Sequence, residues 1–174
     1  EIVFGDWSSD VCSSDLHLDF SSDRSKIITE DVQGIIRIVK VADGQEIGRL
    51  GNPGEVIKYL AFSPDGSKIA CATNDGRVKI FESYSKKEIH TLQVQTVLPD
   101  QVSIISTIVA FSPDGLKLVS AGWDNLIKIW DVSTGKEIDS IVCDGIPSCI
   151  KFSPDGKWML VGNRDTTIML YSWQ

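Results

Sequence analysis

Four segments, Phe20-Ser21-Ser22-Asp23, Phe62-Ser63-Pro64-Asp65-Gly66, Phe111-Ser112-Pro113-Asp114-Gly115 and Phe152-Ser153-Pro154-Asp155-Gly156, recur along the 174-residue chain with their phenylalanines 42, 49 and 41 residues apart. A period of roughly 40 to 45 residues suits a unit of four short strands, and such a unit buries its faces by stacking on its neighbours. Positions inside each unit keep step. Nineteen residues after each Phe stands Val39, Phe81, Trp130 or Tyr171, and fourteen after it stands Gly34, Gly76, Asn125 or Thr166.

Each unit follows the same strand grammar. An apolar strand ends at the Phe and runs into Ser-Pro-Asp-Gly, where Pro presets the φ wanted at the second turn position and Gly relieves the last. A second strand, such as 117–121, leads to a tight turn at Asp124-Asn125, and a third strand, Leu126 to Trp130, is apolar at alternate positions. A polar turn from Asp131 to Gly135 precedes an outer strand beginning at Lys136. The composition agrees: 42% of residues are hydrophobic, with a bias to Ile and Val, whose branched side chains suit a pleated surface.

The run Ala121-Gly122-Trp123-Asp124-Asn125-Leu126-Ile127-Lys128-Ile129-Trp130-Asp131 resembles the WD-repeat family, and the resemblance extends from about Leu18 to Gln174. Two outer-strand starts, Thr134-Gly135-Lys136-Glu137-Ile138 and Asp43-Gly44-Gln45-Glu46-Ile47, are similar to prokaryotic members. The resemblance implies an all-β fold, a β-propeller of four-stranded antiparallel blades, with about four blades present near 17–50, 51–95, 96–142 and 143–174. Family members usually carry a Gly-His pair at the start of each blade, and here the His position holds Pro53, Val102 or Cys143. Asp75, Asp124 and Asp165 keep the family's turn position, where without that His they are expected to accept backbone N–H bonds locally. In the first unit Gln33 stands at that position. Propellers close with four to eight blades and this family most often uses seven, so four blades are expected to form an incomplete propeller. An uncovered blade face exposes several hundred Å² of apolar surface, a deficit on the order of 10 kcal/mol, so further blades or self-association are expected.

Residues Asp6 to Leu16 resemble one translated reading frame of a sequencing-adapter oligonucleotide, so 1–16 is set apart from the propeller, 17–174, as a foreign or unassigned segment. Without Asp6, Asp10 and Asp15 the formal charge rises from −7 to −4. There is no basic stripe of the kind phosphate recognition requires, so no nucleic-acid partner is expected. The run Ile104 to Phe111 is far too short to span a membrane, and no membrane partner is expected. Cys71, Cys143 and Cys149 are an odd set outside the foreign segment, without zinc spacing, which suggests a reducing, cytoplasmic setting.

A catalytic role finds no matching residues. His90 has no paired nucleophile, His17 adjoins the foreign segment, and Thr134-Gly135-Lys136 lacks the upstream Gly of a phosphate loop. No cofactor or metal is implied. The resemblance points instead to a non-catalytic scaffold or sensor binding a protein or peptide on the loop face that carries the turns between second and third strands. Those turns contain Val32, Asn74, Trp123 and Arg164, with Asn163 beside the last, and Trp and Arg are the types enriched at binding hot spots. A plainer expectation is that Trp123 folds over the adjacent blade and Arg164 pairs with Asp165. Trp130, Trp158 and Trp173 are expected to pack within the blades. The loop 95–103 lengthens the second unit, which fits either a functional loop or tolerated drift. The alternative function is the propeller domain of a lactonase- or peptidase-associated hydrolase.

Overall fold

A computed structural model describes residues 17–31, 33–94 and 107–173, so Val32, the loop 95–103 and the segment 6–16 lie outside the described residues. Fifteen strands and no helix are found among the described residues. The first sheet holds β1 (Leu18–Phe20), β2 (Lys26–Glu30), β3 (Ile36–Lys40) and β4 (Glu46–Leu50), and the second β5 (Ile57–Phe62), β6 (Lys68–Thr73), β7 (Arg77–Glu82) and β8 (Glu88–Gln93). The third contains β9 (Ile108–Phe111), β10 (Lys117–Ala121), β11 (Leu126–Asp131) and β12 (Glu137–Val142); the last has three strands, β13 (Pro147–Phe152), β14 (Trp158–Asn163) and β15 (Ile168–Ser172). Every sheet is an antiparallel meander in chain order. The first strands β1, β5, β9 and β13 lie side by side from sheet to sheet, as the inner strands of an incomplete propeller do.

The Phe-Ser-Pro-Asp-Gly repeat is a device for turning from first strand to second. In the second sheet the Ser63 hydroxyl donates to Asp65 Oδ1 at 2.6 Å and accepts from Lys68 N at 2.8 Å, while Asp65 also takes the Ser67 amide at 3.0 Å. Ser21, Ser112 and Ser153 repeat the arrangement with Asp23, Asp114 and Asp155. These bonds favour the ionised carboxylate; the Ser63 hydroxyl foremost holds Asp65 at a pKa of about 2. Gly66, Gly115 and Gly156 sit at φ near +70°, where a side chain is strained, but the first sheet has Arg24 there at +57°.

Inner sheets are buried on both faces, so their strands do not alternate apolar with polar. In β6, Ile69 and Cys71 face the first sheet with Ile28, Ile36, Ile38 and Leu50, while Ala70 and Ala72 face the third with Leu118 and Trp130. A further core joins Val119, Ala121, Ile127 and Ile129 to Ile150, Met159 and Val161. Burial without a nearby cation strong enough to offset it pushes the Cys71 thiol up to about 12, marking it as inert packing.

The outermost sheets are buried on one face alone. On β14, Met159 and Val161 are fully buried, whereas Trp158 and Leu160 are 44% and 41% exposed. Register places them with Leu170 and Ile168 of β15 on one open face, and Leu18 and Phe20 of β1 are exposed at the other end of the row. Trp158 therefore does not pack within a blade, contrary to expectation. Its position faces away from the third sheet, and no described neighbour covers that side. Trp130 is buried, and Trp173 meets Phe152 edge to face with centroids 4.9 Å apart.

Candidate functional site

The turns between second and third strands all emerge at one end of the row, and each is closed by a short carboxylate. Asp75 accepts the Thr73 hydroxyl at 2.5 Å and pairs with Arg77 at 3.1 Å. Asp124 accepts Leu126 N at 3.2 Å, and Asp165 accepts both the amide and the hydroxyl of Thr167 at 3.0 and 2.6 Å. The Thr167 hydroxyl foremost lowers the Asp165 pKa. All these partners lie within two residues of the carboxylate. In the first sheet, where Gln33 stands at the aligned position, Asp31 takes the role from two residues upstream. It accepts Gln33 N at 2.9 Å and Ile35 N at 3.1 Å and pairs with Arg37 at 3.0 Å. Burial acts to raise the Asp31 pKa, but the Ile35 amide and Arg37 outweigh it and the net shift is downward.

On this rim the structure brings two of the sequence-selected residues together. The Arg164 guanidinium lies over the Trp123 ring, 4.8 Å from its centroid, so a residue of the fourth sheet stacks on one of the third. Trp123 is 43% exposed and Arg164 is exposed too. Arg164 does not pair with the adjacent Asp165, because that carboxylate is turned onto Thr167. Asn74 is exposed at the tip of its own turn, apart from this pair. Asn163 is a correction to the partner-facing set. It is 6% exposed, and its amide donates to Thr167 Oγ1 at 3.0 Å and accepts from Cys143 Sγ at 3.4 Å. Its amide is thus consumed in bracing the turn that carries Arg164.

Charge on the rim changes from one end of the row to the other. In the first two sheets Arg37 meets Asp31, Arg77 meets Asp75, and the buried Lys79 meets Glu55. Among the described residues Arg164 has the Trp123 ring and no hydrogen bond or ion pair from its side chain.

Two other surfaces stand out. A cleft of about 400 Å³ runs among the inner strands, lined by Asp19, Tyr59, Phe62, Phe111, Lys151 and Phe152 with other residues of the same strands. Asp19 spans the first two sheets there by accepting Phe62 N at 2.7 Å. At the opposite end from the rim, Tyr84 is 97% exposed in the turn between β7 and β8. Nothing in the sequence marks Tyr84 except an aromatic residue within an otherwise polar turn. No group of three or more His, Cys, Asp or Glu side chains able to hold a metal occurs among the described residues. His90 is engaged with the Ser133 carbonyl at 3.1 Å, and the cysteines 71, 143 and 149 are free thiols.

Comparison with known proteins agrees with this geometry. A family model described as the WD40 domain of anaphase-promoting complex subunit 4 matches residues 33–108. A second, described as the WD domain, G-beta repeat, matches residues 89–131 and 137–172. No curated protein matches the chain.

Proposed function

We propose, from the premise that this chain belongs to the WD-repeat family, that it is a non-catalytic interaction module holding a protein or peptide on the rim formed by the turns between second and third strands. WD repeats generally serve as protein-interaction scaffolds, and the fold by itself names no partner. The observation that carries the choice of face is the stacked pair of Trp123 and Arg164. A half-exposed indole braced by a guanidinium from the next blade offers rigid contact area at little entropic cost. Asn74 extends the same rim, and Asn163 supports it from below. The two open apolar faces at the ends of the row are surfaces for further blades or for self-association.

The test is a selection of randomised peptides displayed against the immobilised full chain, with enriched peptides then measured against Asn74→Ala, Trp123→Ala, Arg164→Ala and Tyr84→Ala. The rim variants at 123 and 164 are expected to weaken binding roughly thirtyfold, the scale of a hot-spot truncation, while Tyr84→Ala leaves it unchanged. Enriched peptides that depend on Tyr84 and ignore Trp123 and Arg164 overturn the assignment of the face.

A further inference from the structure

We infer that the Trp123–Arg164 pair is a receptor for a single carboxylate side chain of the bound partner, an Asp or Glu set among neutral or basic residues. The inference rests on the rim being the partner face and adds the chemistry of what docks there.

The Arg164 guanidinium carbon lies over the Trp123 ring, 4.8 Å from its centroid, so the indole covers part of an otherwise exposed guanidinium and leaves N–H donors for a guest. A planar fork of N–H groups matches a carboxylate bidentately, and stacking in advance removes part of the rotamer entropy that a free arginine loses on binding. No residue of this chain answers those donors among the described residues, although Asp165 is the next residue and is ionised. Its Oδ1 takes the Thr167 amide and hydroxyl, which ties the carboxylate into its own turn. By contrast, Arg37 and Arg77 at the rim end are answered by carboxylates six and two residues away. Arg164 is thus a cation whose partner is supplied from outside.

The surroundings narrow the guest. Asp124 follows Trp123, Asp165 follows Arg164, and the Arg164 amide donates to the Ile146 carbonyl at 2.9 Å, which brings the loop bearing the exposed Asp144 alongside. A dianionic phosphate or a run of acidic residues meets these three carboxylates as well as the arginine and is repelled by them. One carboxylate flanked by Lys or Arg satisfies both signs: the acid reaches Arg164 and the flanking cations meet Asp124, Asp144 and Asp165. The methylene stem of a Glu, or the Cβ of an Asp, rests against the exposed part of the Trp123 ring.

Three synthetic peptides provide the test: acetyl-Gly-Lys-Glu-Lys-Gly-amide, the same peptide with Gln for Glu, and the same with phosphoserine for Glu. Each is titrated into the full chain while the side-chain Nε–H resonances of Arg164 and Trp123 are followed by NMR. The Glu peptide is expected to move both resonances saturably and to bind roughly tenfold more tightly than the Gln peptide, the scale of a lost charge-assisted pair. Arg164→Gln is expected to abolish the difference between the Glu and Gln peptides, and Arg164→Lys to restore part of it. Circular dichroism confirms that both variants fold. Equal binding of the Glu and Gln peptides, preference for phosphoserine, or no saturable shift each overturns the carboxylate receptor. The display selection described above separates this failure from failure of the face itself. Enriched peptides that lack an acid but still depend on Trp123 leave the rim as partner face and remove the carboxylate.

Discussion

Replacing Ser120 by Ala probes how a buried donor is satisfied where the second and third sheets meet. Trp130 is 5% exposed there, and its indole N–H donates to Ser120 Oγ at 2.8 Å, with Ser120 itself fully buried. In Ser120→Ala the volume change is small, so the cost is that of an orphaned buried N–H, about 2 kcal/mol within a range of roughly 1 to 3. Trp130→Phe removes the donor instead, leaves the serine hydroxyl orphaned and thins the core, for roughly 2 to 3 kcal/mol. The double variant leaves neither group orphaned, so its cost should fall short of the sum by about 1 to 2 kcal/mol. Urea unfolding followed by far-ultraviolet circular dichroism measures all four proteins without relying on the altered tryptophan. Additivity within about 0.3 kcal/mol, or a Ser120→Ala cost below about 0.5 kcal/mol, refutes the idea that this bond is needed in a dry interface.

Arg24 and Thr166 occupy left-handed turn positions at φ +57° and +70°, so Arg24→Gly and Thr166→Gly should each raise stability by about 0.5 to 1 kcal/mol in the same urea assay; no gain would show that their side chains repay the strain. The folded pKa of Asp23, Asp65 and Asp131 lies at about 2, below the ordinary 3.8. Their contribution is therefore complete above about pH 4 and is lost as pH falls towards 2. The urea midpoint should drop across that window, less steeply in Asp65→Asn, and a flat profile contradicts the assignment. On the open face of the last sheet, Leu170→Lys should cut light scattering by the chain at micromolar concentration without lowering its unfolding midpoint, since Leu170 is 58% exposed. A lowered midpoint would mean that the face is already covered.

Much of the fold is legible in the sequence because the turn chemistry repeats. Ser63, Asp65 and Gly66 each perform a job that few other residues do, so their recurrence fixes where first strands end. Asp31 escaped because alignment compares columns, and a carboxylate can close the same turn from two residues earlier. Trp158 misled for a different reason. Within one repeat it occupies a strand position like any other, and its exposure depends on which sheets stand beside it. The contact of Trp123 with Arg164 joins residues 41 apart in different sheets, and their adjacency follows from the angle between neighbouring blades. No local pattern encodes that angle. Asn163 looked available because polar turn residues usually are, yet the thiol of Cys143 and the hydroxyl of Thr167 enclose it.

The meander order of the sheets bears on how the chain is made. Each described strand pairs only with the strand just before or just after it in the chain. A chain leaving the ribosome can therefore finish one sheet before the next begins to emerge, and each finished sheet offers its apolar face as a template for the following one. A pause in translation at a boundary between sheets leaves a paired, if half-covered, intermediate. A pause inside a sheet leaves an open strand edge, so synthesis is most exposed to misassembly in the middle of a blade.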